Sequence, residues 1–434
     1  MSEELKSGYK KSEIGPIPLT WESVKLGEIF KFKNGLNKGK EFFGYGTPIV
    51  NYMDVYKISG LCFCDLKGRV TVSKFEQKAF DVKKGDVFFT RTSETVDEVG
   101  IASVMLDEAT NTVFSGFVLR ARSYSDRLDD HFKKYCFGTH GVRRQITSAA
   151  SYTTRALTNG RLLSDVVIAC PPVSEQCAIA AALFDVDALL AKLDALIVKK
   201  RDLKQAAMQQ LLTGQTRLPG FGGTAGYLQT DVGLIPEDWE VRTFRDICMK
   251  IQDGTHFSPT PGGNDYLYIT SKNIGHGALD VTSADRISAT EHENIYGRCD
   301  VKRGDLLLTK DGANTGNAAI NTLDEPFSLL SSVAFLRFDC RLHSAQFFLY
   351  QILSQSGQRR LKLEMSGNAI TRLTLTKINA LRIPVASINE QTAIATILSD
   401  MDAEITALEA RRDKTRDLKQ GMMQELLTGR IRLV

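Results

Sequence analysis

Apolar residues at Ile179, Leu183, Val186, Leu190, Leu193 and Ile197 alternate four and three apart, which draws a heptad seam down one face of a helix. The same alternation returns at Ile394, Leu398, Met401, Ile405 and Leu408. In both copies a charged interval follows, Lys199–Lys200–Arg201 and Arg411–Arg412. The stripe then resumes at Leu203, Met208 and Leu211 and at Leu418, Met422 and Leu426. Pro172 and Pro384 stand ahead of the two stretches and Gly214 and Gly429 just past them, the usual placement of proline before a helix and glycine after it. About 38 residues at ~1.5 Å each predict rods of roughly 57 Å. Two such stripes within one chain are hidden by packing the rods on each other, and antiparallel packing makes the product pseudo-two-fold symmetric. The alternative is that each helix merely covers its own domain.

The two stretches are near copies in unbroken register, from Glu175–Gln176 to Leu211–Leu212–Thr213–Gly214 and from Glu390–Gln391 to Leu426–Leu427–Thr428–Gly429. Arg217–Leu218 and Arg432–Leu433 extend the match. A second pair lies upstream, where Gly8–Tyr9, Ile14–Gly15–Pro16–Ile17–Pro18 and Trp21 return as Gly226–Tyr227, Val232–Gly233–Leu234–Ile235–Pro236 and Trp239. The chain is a tandem duplication whose frame is kept and whose contents diverge. The boundaries that follow are a first variable domain with its N-terminal arm over 1–171, a long helix over 172–214 and a linker over 215–238. A second variable domain covers 239–383, and a second long helix with its tail covers 384–434.

Between the frames, short alternating runs and loops rich in Gly, Asn and Thr predict small α+β domains with substantial sheet. Two motifs recur there. Val82–Lys83–Lys84–Gly85–Asp86–Val87–Phe88–Phe89–Thr90–Arg91 matches Val301–Lys302–Arg303–Gly304–Asp305–Leu306–Leu307–Leu308–Thr309–Lys310, a turn feeding an apolar strand that ends in a hydroxyl and a cation. The turn reads equally well as purely structural. Gly141, Arg143–Arg144 and Thr154–Arg155 parallel Gly357, Arg359–Arg360 and Thr371–Arg372. Arginine beside Thr, Ser and Asn suits a DNA groove, where a guanidinium fits guanine, amides fit adenine, and hydroxyls and lysines hold phosphates. Any one of these cations also reads as a solvated charge or an ion-pair partner.

The net charge of +4 is too small to announce a nucleic-acid partner, which must show as local clustering. The polar start and the lack of a long apolar run predict a cytoplasmic protein. Eight cysteines fall singly except Cys62-x-Cys64, whose spacing does not suit zinc, and none of the six histidines lies in a metal-spaced pair. No Asp/Asn-Pro-Pro-Tyr/Phe segment marks an amino-methyltransferase and no Gly-x-Gly-x-x-Gly follows a strand. Gly35-x-x-x-Gly39–Lys40 has the wrong spacing for a phosphate loop and is followed by Glu41. No serine or cysteine stands in a nucleophile turn. These absences point away from catalysis and from a resident cofactor or metal.

The order of variable unit, Glu-Gln helix ending Leu-Leu-Thr-Gly, then Gly-Leu-Ile-Pro-Glu-Asp-Trp-Glu-Val and the same again, closely resembles the specificity subunits of type I restriction-modification systems over nearly the whole chain. Gln252–Asp253–Gly254–Thr255–His256 with Thr270–Ser271–Lys272–Asn273–Ile274, and Phe32–Lys33–Asn34–Gly35–Leu36–Asn37–Lys38 with Pro48 to Val55, are similar to that family's target-recognition domains. The resemblance implies two globular target-recognition domains separated by two long antiparallel helices that form an intramolecular coiled coil. Each domain would read one half of a bipartite, asymmetric DNA site. The helices would set the spacer and dock two adenine methyltransferase subunits, and restriction subunits could join. S-adenosylmethionine, ATP and Mg are then expected on the partner subunits, with no cofactor on this chain.

Candidate DNA-contacting residues are Lys38, Lys40, Asn51, Arg91, Thr154 and Arg155 in the first unit. In the second they are Thr255, His256, Ser271, Lys272, Asn273, Lys310, Asn314, Thr371 and Arg372. His256 could instead bond its own loop, and Asn273 could be a turn residue. The repeated ends, Glu175, Gln176, Leu211, Leu212, Glu390, Gln391, Leu426 and Leu427, are candidate partner contacts or else helix caps. Two competing readings remain open: an enzyme whose motifs have drifted, and a coiled-coil scaffold that binds only protein.

Overall fold

The computed structural model describes residues 7–152, 154–223, 226–259, 263–365 and 372–433. The chain divides into two compact units, one of residues 1–194 with 411–434, the other of residues 195–410. Each is built on a mainly antiparallel sheet. In the first unit the sheet runs β1 (Phe30–Asn34), β5 (Val118–Ser123), β3 (Val87–Thr90), β4 (Ala102–Met105), β2 (Gly60–Leu61) in spatial order, with only the β4–β2 pair parallel. In the second it runs β6 (Cys248–Asp253), β9 (Val333–Phe338), β7 (Leu306–Thr309), β8 (Ala318–Ile320). The four strands they share have the same order and senses, although the sequences between the frames hardly align.

The recurring turn ahead of β3 and β7 has a structural job. Gly85 and Gly304 adopt φ of 80° and 88°, a region that costs other residues a clash with Cβ. The turn then swings a buried aspartate back onto its own backbone, where Asp86 accepts from the Lys83 amide and Asp305 from the Lys302 amide, both at 2.8 Å. Each aspartate also takes a two-pronged guanidinium from the neighbouring strand. Arg122 bonds Asp86 at 2.7 Å through both nitrogens, and Arg337 bonds Asp305 at 2.9 and 2.7 Å. Buried charge is tolerable there because it is paired and hydrogen-bonded.

The predicted helices are present as Val173–Leu211 and Ile388–Leu426, 39 residues each. Within the first unit Lys419 pairs with Asp187 and Arg412 with Asp194, so the second helix descends as the first ascends. Within the second unit Lys200 pairs with Glu404 and Lys204 with Asp402, in the same antiparallel sense. Ile179, Leu183, Leu193, Ile197, Ile394, Leu398 and Ile405 are buried, as the heptad spacing requires. The resumed stripe needs correction at Leu203 and Leu418, which are exposed. After the charged interval the seam shifts by one residue, to Lys204 and Lys419, whose stems are covered while their ammoniums bond Asp402 and Asp187.

Both helix ends are sealed into sheet cores. Leu426 and Leu427 join Ile179, Leu183, Trp21, Phe30, Phe89 and Leu119 in the first unit, and Leu211 and Leu212 join Ile394, Leu398, Trp239, Leu306 and Leu336 in the second. Among the described residues no helix is long and apolar enough to cross a membrane.

Candidate nucleic-acid interface

In the second unit four segments converge where β6 and β7 end. Thr255 bridges to Leu330, its amide donating to Leu329 at 2.8 Å, and Ser331 donates back to Thr255. Lys310 donates its amide to Ser332, and Leu373 donates to Lys310. The Ser271 amide bonds Ser332 Oγ at 3.2 Å, and Asn314 Nδ2 bonds the Ser271 carbonyl at 3.3 Å. A Cβ on Gly254 would lie 2.0 Å from the Leu329 oxygen, so the close approach of these strands requires glycine. Thr255, His256, Ser271, Lys310, Asn314 and Arg372 are thereby brought to one face.

Their electrostatics differ. Lys310 is almost fully buried, 3.3 Å from both Asp253 and Asp311, so its charge is consumed inside the protein. Asp253, also buried, lies 3.4 Å from His256 Nε2 and 3.8 Å from Arg298. Arg372 is exposed and tethered by Asp311 at 3.2 Å. Arg372 and His256 are therefore aimed outward from a buried ionic base, as groove-reading side chains need to be. Lys272 is exposed and pairs with Asp285 at 2.7 Å. Asn273 is fully buried, taking the Thr270 amide at 3.0 Å and donating to the Asp280 carbonyl at 3.2 Å, which is the turn role rather than an outward one. Thr371 lies outside the described residues.

The first unit repeats the same backbone crossing with other side chains. Leu36 bridges to Ser115, Arg91 donates its amide to Phe117, and Thr158 donates to Arg91. Gly35 answers Gly254, since a Cβ there would lie 2.1 Å from the Ser115 oxygen. Arg91, in the position of Lys310, is half-buried with Nη1 3.4 Å from the Gly116 carbonyl. Thr154, Arg155 and Lys40 are exposed, whereas Lys38 is held 2.8 Å from Glu76 and over the Phe42 ring. Asn51 caps the helix Tyr52–Lys57, its amide bonding Asp54 at 2.8 Å while its Nδ2 packs on Gly68. Of the paired arginines, Arg143 is spent on the carbonyls of Asp97 and Val99, and burial pushes its pKa down.

The eight repeated frame residues offered as partner contacts all lie inside the chain. Glu175 accepts from Trp21 Nε1 at 2.8 Å and from Arg432 Nη2 at 2.7 Å, and Glu390 accepts from Trp239 Nε1 at 2.9 Å and from Arg217 at 2.6 and 2.9 Å. Gln176 bonds the Pro171 and Arg127 carbonyls and the Asp129 amide, and Gln391 bonds the Ala386 carbonyl and the Ser344 amide. Leu211, Leu212, Leu426 and Leu427 fill cores. Burial of all eight corrects the docking expectation, because repetition here preserves a Glu–Trp–Arg triangle in each unit. The signal was present, since Trp21/Trp239 and Arg217/Arg432 recur with the glutamates.

A family model described as the type I restriction modification DNA specificity domain matches the chain twice, over residues 18–198 and 236–415. The chain belongs to this family. It is a specificity subunit with two target-recognition domains, the non-catalytic component of such systems. A similar chain is the type I restriction enzyme MjaVIII specificity subunit of Methanocaldococcus jannaschii, 22% identical over 427 residues that cover 96% of this chain and 94% of the relative. The EcoBI specificity subunit of Escherichia coli is 23% identical over 320 residues, 70% of this chain and 66% of that one. The fold is shared with the crystal structure of the S subunit from M. genitalium (TM-score 0.55, 16% identity, 98% of each chain). It is shared also with a structure from a study of complex assembly in the type I restriction-modification system (TM-score 0.54, 16% identity, 96% of this chain and 99% of that one).

Asp253 and Asp311 were not among the sequence-based candidates, because the composition expected of a DNA contact favours cations over the carboxylates that aim them. Among the described residues no group of three His, Cys, Asp or Glu side chains is placed to hold a metal.

Proposed function

We propose that the crossing at the end of β7 and its counterpart at the end of β3 are the two reading faces of this specificity subunit, each taking one half of a bipartite, asymmetric DNA sequence. The observation that carries this is one backbone cradle, glycine, bridge and strand end, furnished with unlike side chains in the two units. A common frame with divergent contents is what recognition of two different half-sites needs, since phosphate contacts position a protein while base contacts specify. Arg372, His256 and Asn314 on one face and Arg155, Thr154 and Lys40 on the other are the exposed side chains that would meet the DNA.

In this reading the protein acts in the cytoplasm, and the length of the long helices sets the unread gap. Two adenine methyltransferase subunits dock on it, bringing S-adenosylmethionine, and restriction subunits with ATP and Mg join through them. With the repeated helix ends buried, docking falls to exposed apolar side chains along the helices, such as Phe184, Leu189, Leu196, Val198 and Ile397.

The test is to map methylated adenines in DNA exposed to the chain together with its methyltransferase partner. A split motif with a constant gap is expected, with affinity falling steeply as salt rises through counterion release. Methylation by this chain alone, or a continuous motif, would refute the reading.

A further inference from the structure

Beside the first unit's reading face lies a cleft of about 310 Å3 lined by Tyr52, Thr92, Ser93, Glu94, Glu98, Phe117 and Arg155. Its chemistry is unusual for a surface meant to meet phosphates, because it holds a fixed carboxylate. Glu98 takes a hydrogen bond from Ser93 Oγ at 2.5 Å and one from Tyr56 Oη at 3.0 Å, and Thr90 Oγ1 donates to its backbone carbonyl at 2.7 Å. Tyr56 is itself fixed by stacking on Tyr52. The Ser93 and Tyr56 bonds also hold the Glu98 pKa below the usual glutamate range. Thr95 adds a third side-chain bond, so of the roughly four acceptor positions of a carboxylate about one remains for a ligand. The same cleft carries Arg155, exposed and without an ion pair among the described residues, whose fork demands two acceptors.

We propose that this cleft reads a C·G base pair in the first unit's half-site, Arg155 donating to guanine O6 and N7 and Glu98 accepting from the cytosine N4 amino group. The inference rests on the first unit being a DNA reader. A guanine–cytosine pair, unlike A·T or T·A, sets a pair of acceptors on one base beside a single amino donor on the other in the major groove, and the placing of Arg155 and Glu98 selects its orientation. A carboxylate beside DNA is repelled by phosphates unless it meets such a donor, so its tethering in a cleft with an arginine points to a base edge. The second unit lacks this constellation. Thr92, Ser93 and Glu94, which follow Arg91 in the first unit, are replaced by Asp311, Gly312 and Ala313 after Lys310, and Asp311 is turned onto Lys310 and Arg372.

The experiment assembles the chain with its methyltransferase partner and measures methylation across a library randomised at each half-site position. The wild-type motif is expected to hold an invariant C·G pair in the half-site that Arg155→Ala weakens. Glu98→Gln and Arg155→Ala should each lose about 5- to 150-fold of discrimination at that one pair, with the other half-site unchanged. Tyr56→Phe, which frees the carboxylate without removing it, should lose less at the same pair. If Glu98→Gln disturbs the fold, seen as loss of its circular dichroism, the surface variant Arg155→Ala still decides. A first half-site without an invariant C·G pair, losses at different positions for the two variants, or weakening uniform over all sequences would overturn the proposal. A wild-type motif that is not split at all would instead sink the reading beneath it.

Discussion

Glu175→Ala probes the frame where its two copies differ. The buried carboxylate holds Trp21 Nε1 at 2.8 Å and Arg432 through two nitrogens. Its loss strands a fully buried indole N–H, which costs about 1–3 kcal/mol. Arg432 is 30% exposed and keeps a bond to Thr20 Oγ1 at 3.1 Å and its place over the Trp21 ring, so solvent screening holds its share to about 1 kcal/mol. The sum is roughly 2–4 kcal/mol. Glu390→Ala strands Trp239 in the same way, yet Arg217 keeps a two-pronged bond to Asp238 at 2.8 and 2.8 Å, so only about 1–3 kcal/mol is lost. Hydrogen exchange followed by mass spectrometry separates the units. For Glu175→Ala, amides of β3 and β5 should exchange about 30- to 1,000-fold faster while those of β7 and β9 hold, and Glu390→Ala should reverse the pattern with a smaller change. Acceleration below threefold in the first unit, or equal effects of both variants on both units, would refute the assignment of each triangle to its own unit.

Lys310→Met leaves the buried Asp253 without its ammonium, and a loss of about 3–5 kcal/mol in urea unfolding is expected, eased by adding Asp253→Asn. Methylation should then lose discrimination at the second half-site only. Gly254→Ala drives a Cβ to 2.0 Å from the Leu329 oxygen and should cost about 1–3 kcal/mol or more, with second half-site recognition lost in the methylation assay. Burial pushes Asp187 up, but bonds from Lys134 and Lys419 outweigh it and hold its pKa below the usual aspartate value. A folded pKa below the unfolded one contributes stability that is full at neutral pH and declines as the pH falls from about 5 through the depressed value, so first-unit unfolding should steepen there. The Lys134→Met, Lys419→Met double variant should flatten that slope.

The frame was legible because it repeats. Heptad spacing gave both long helices, the symmetry of the duplication favoured the antiparallel sense found within each unit, and the recurrence of Lys–Gly–Asp and of the Thr–cation strand end marked β3 and β7. Periodicity could not tell Leu203 from Lys204 as the seam residue, since the phase shift is fixed by ion pairs with the facing helix. Identity of the helix ends could not tell docking from burial, because both preserve residues alike. At the reading faces, outward cations and inward ones share a composition. Lys310 and Arg91 occupy equivalent strand ends, but only Asp253 and Asp311, brought in by the fold, draw Lys310 wholly inside.

The hydrogen bond from Tyr9 Oη to the Gly429 carbonyl at 2.7 Å matches that from Tyr227 Oη to the Gly214 carbonyl at 3.0 Å. At the second of these junctions the polypeptide runs on through residues 215–226, whereas at the first the two partners are 420 positions apart. Backbone continuity is thus dispensable at this joint, for the geometry persists without it. A rewired gene that bridges Arg432 to Tyr9 with about a dozen residues and opens instead between 215 and 226 should yield the same molecule with its reading order exchanged.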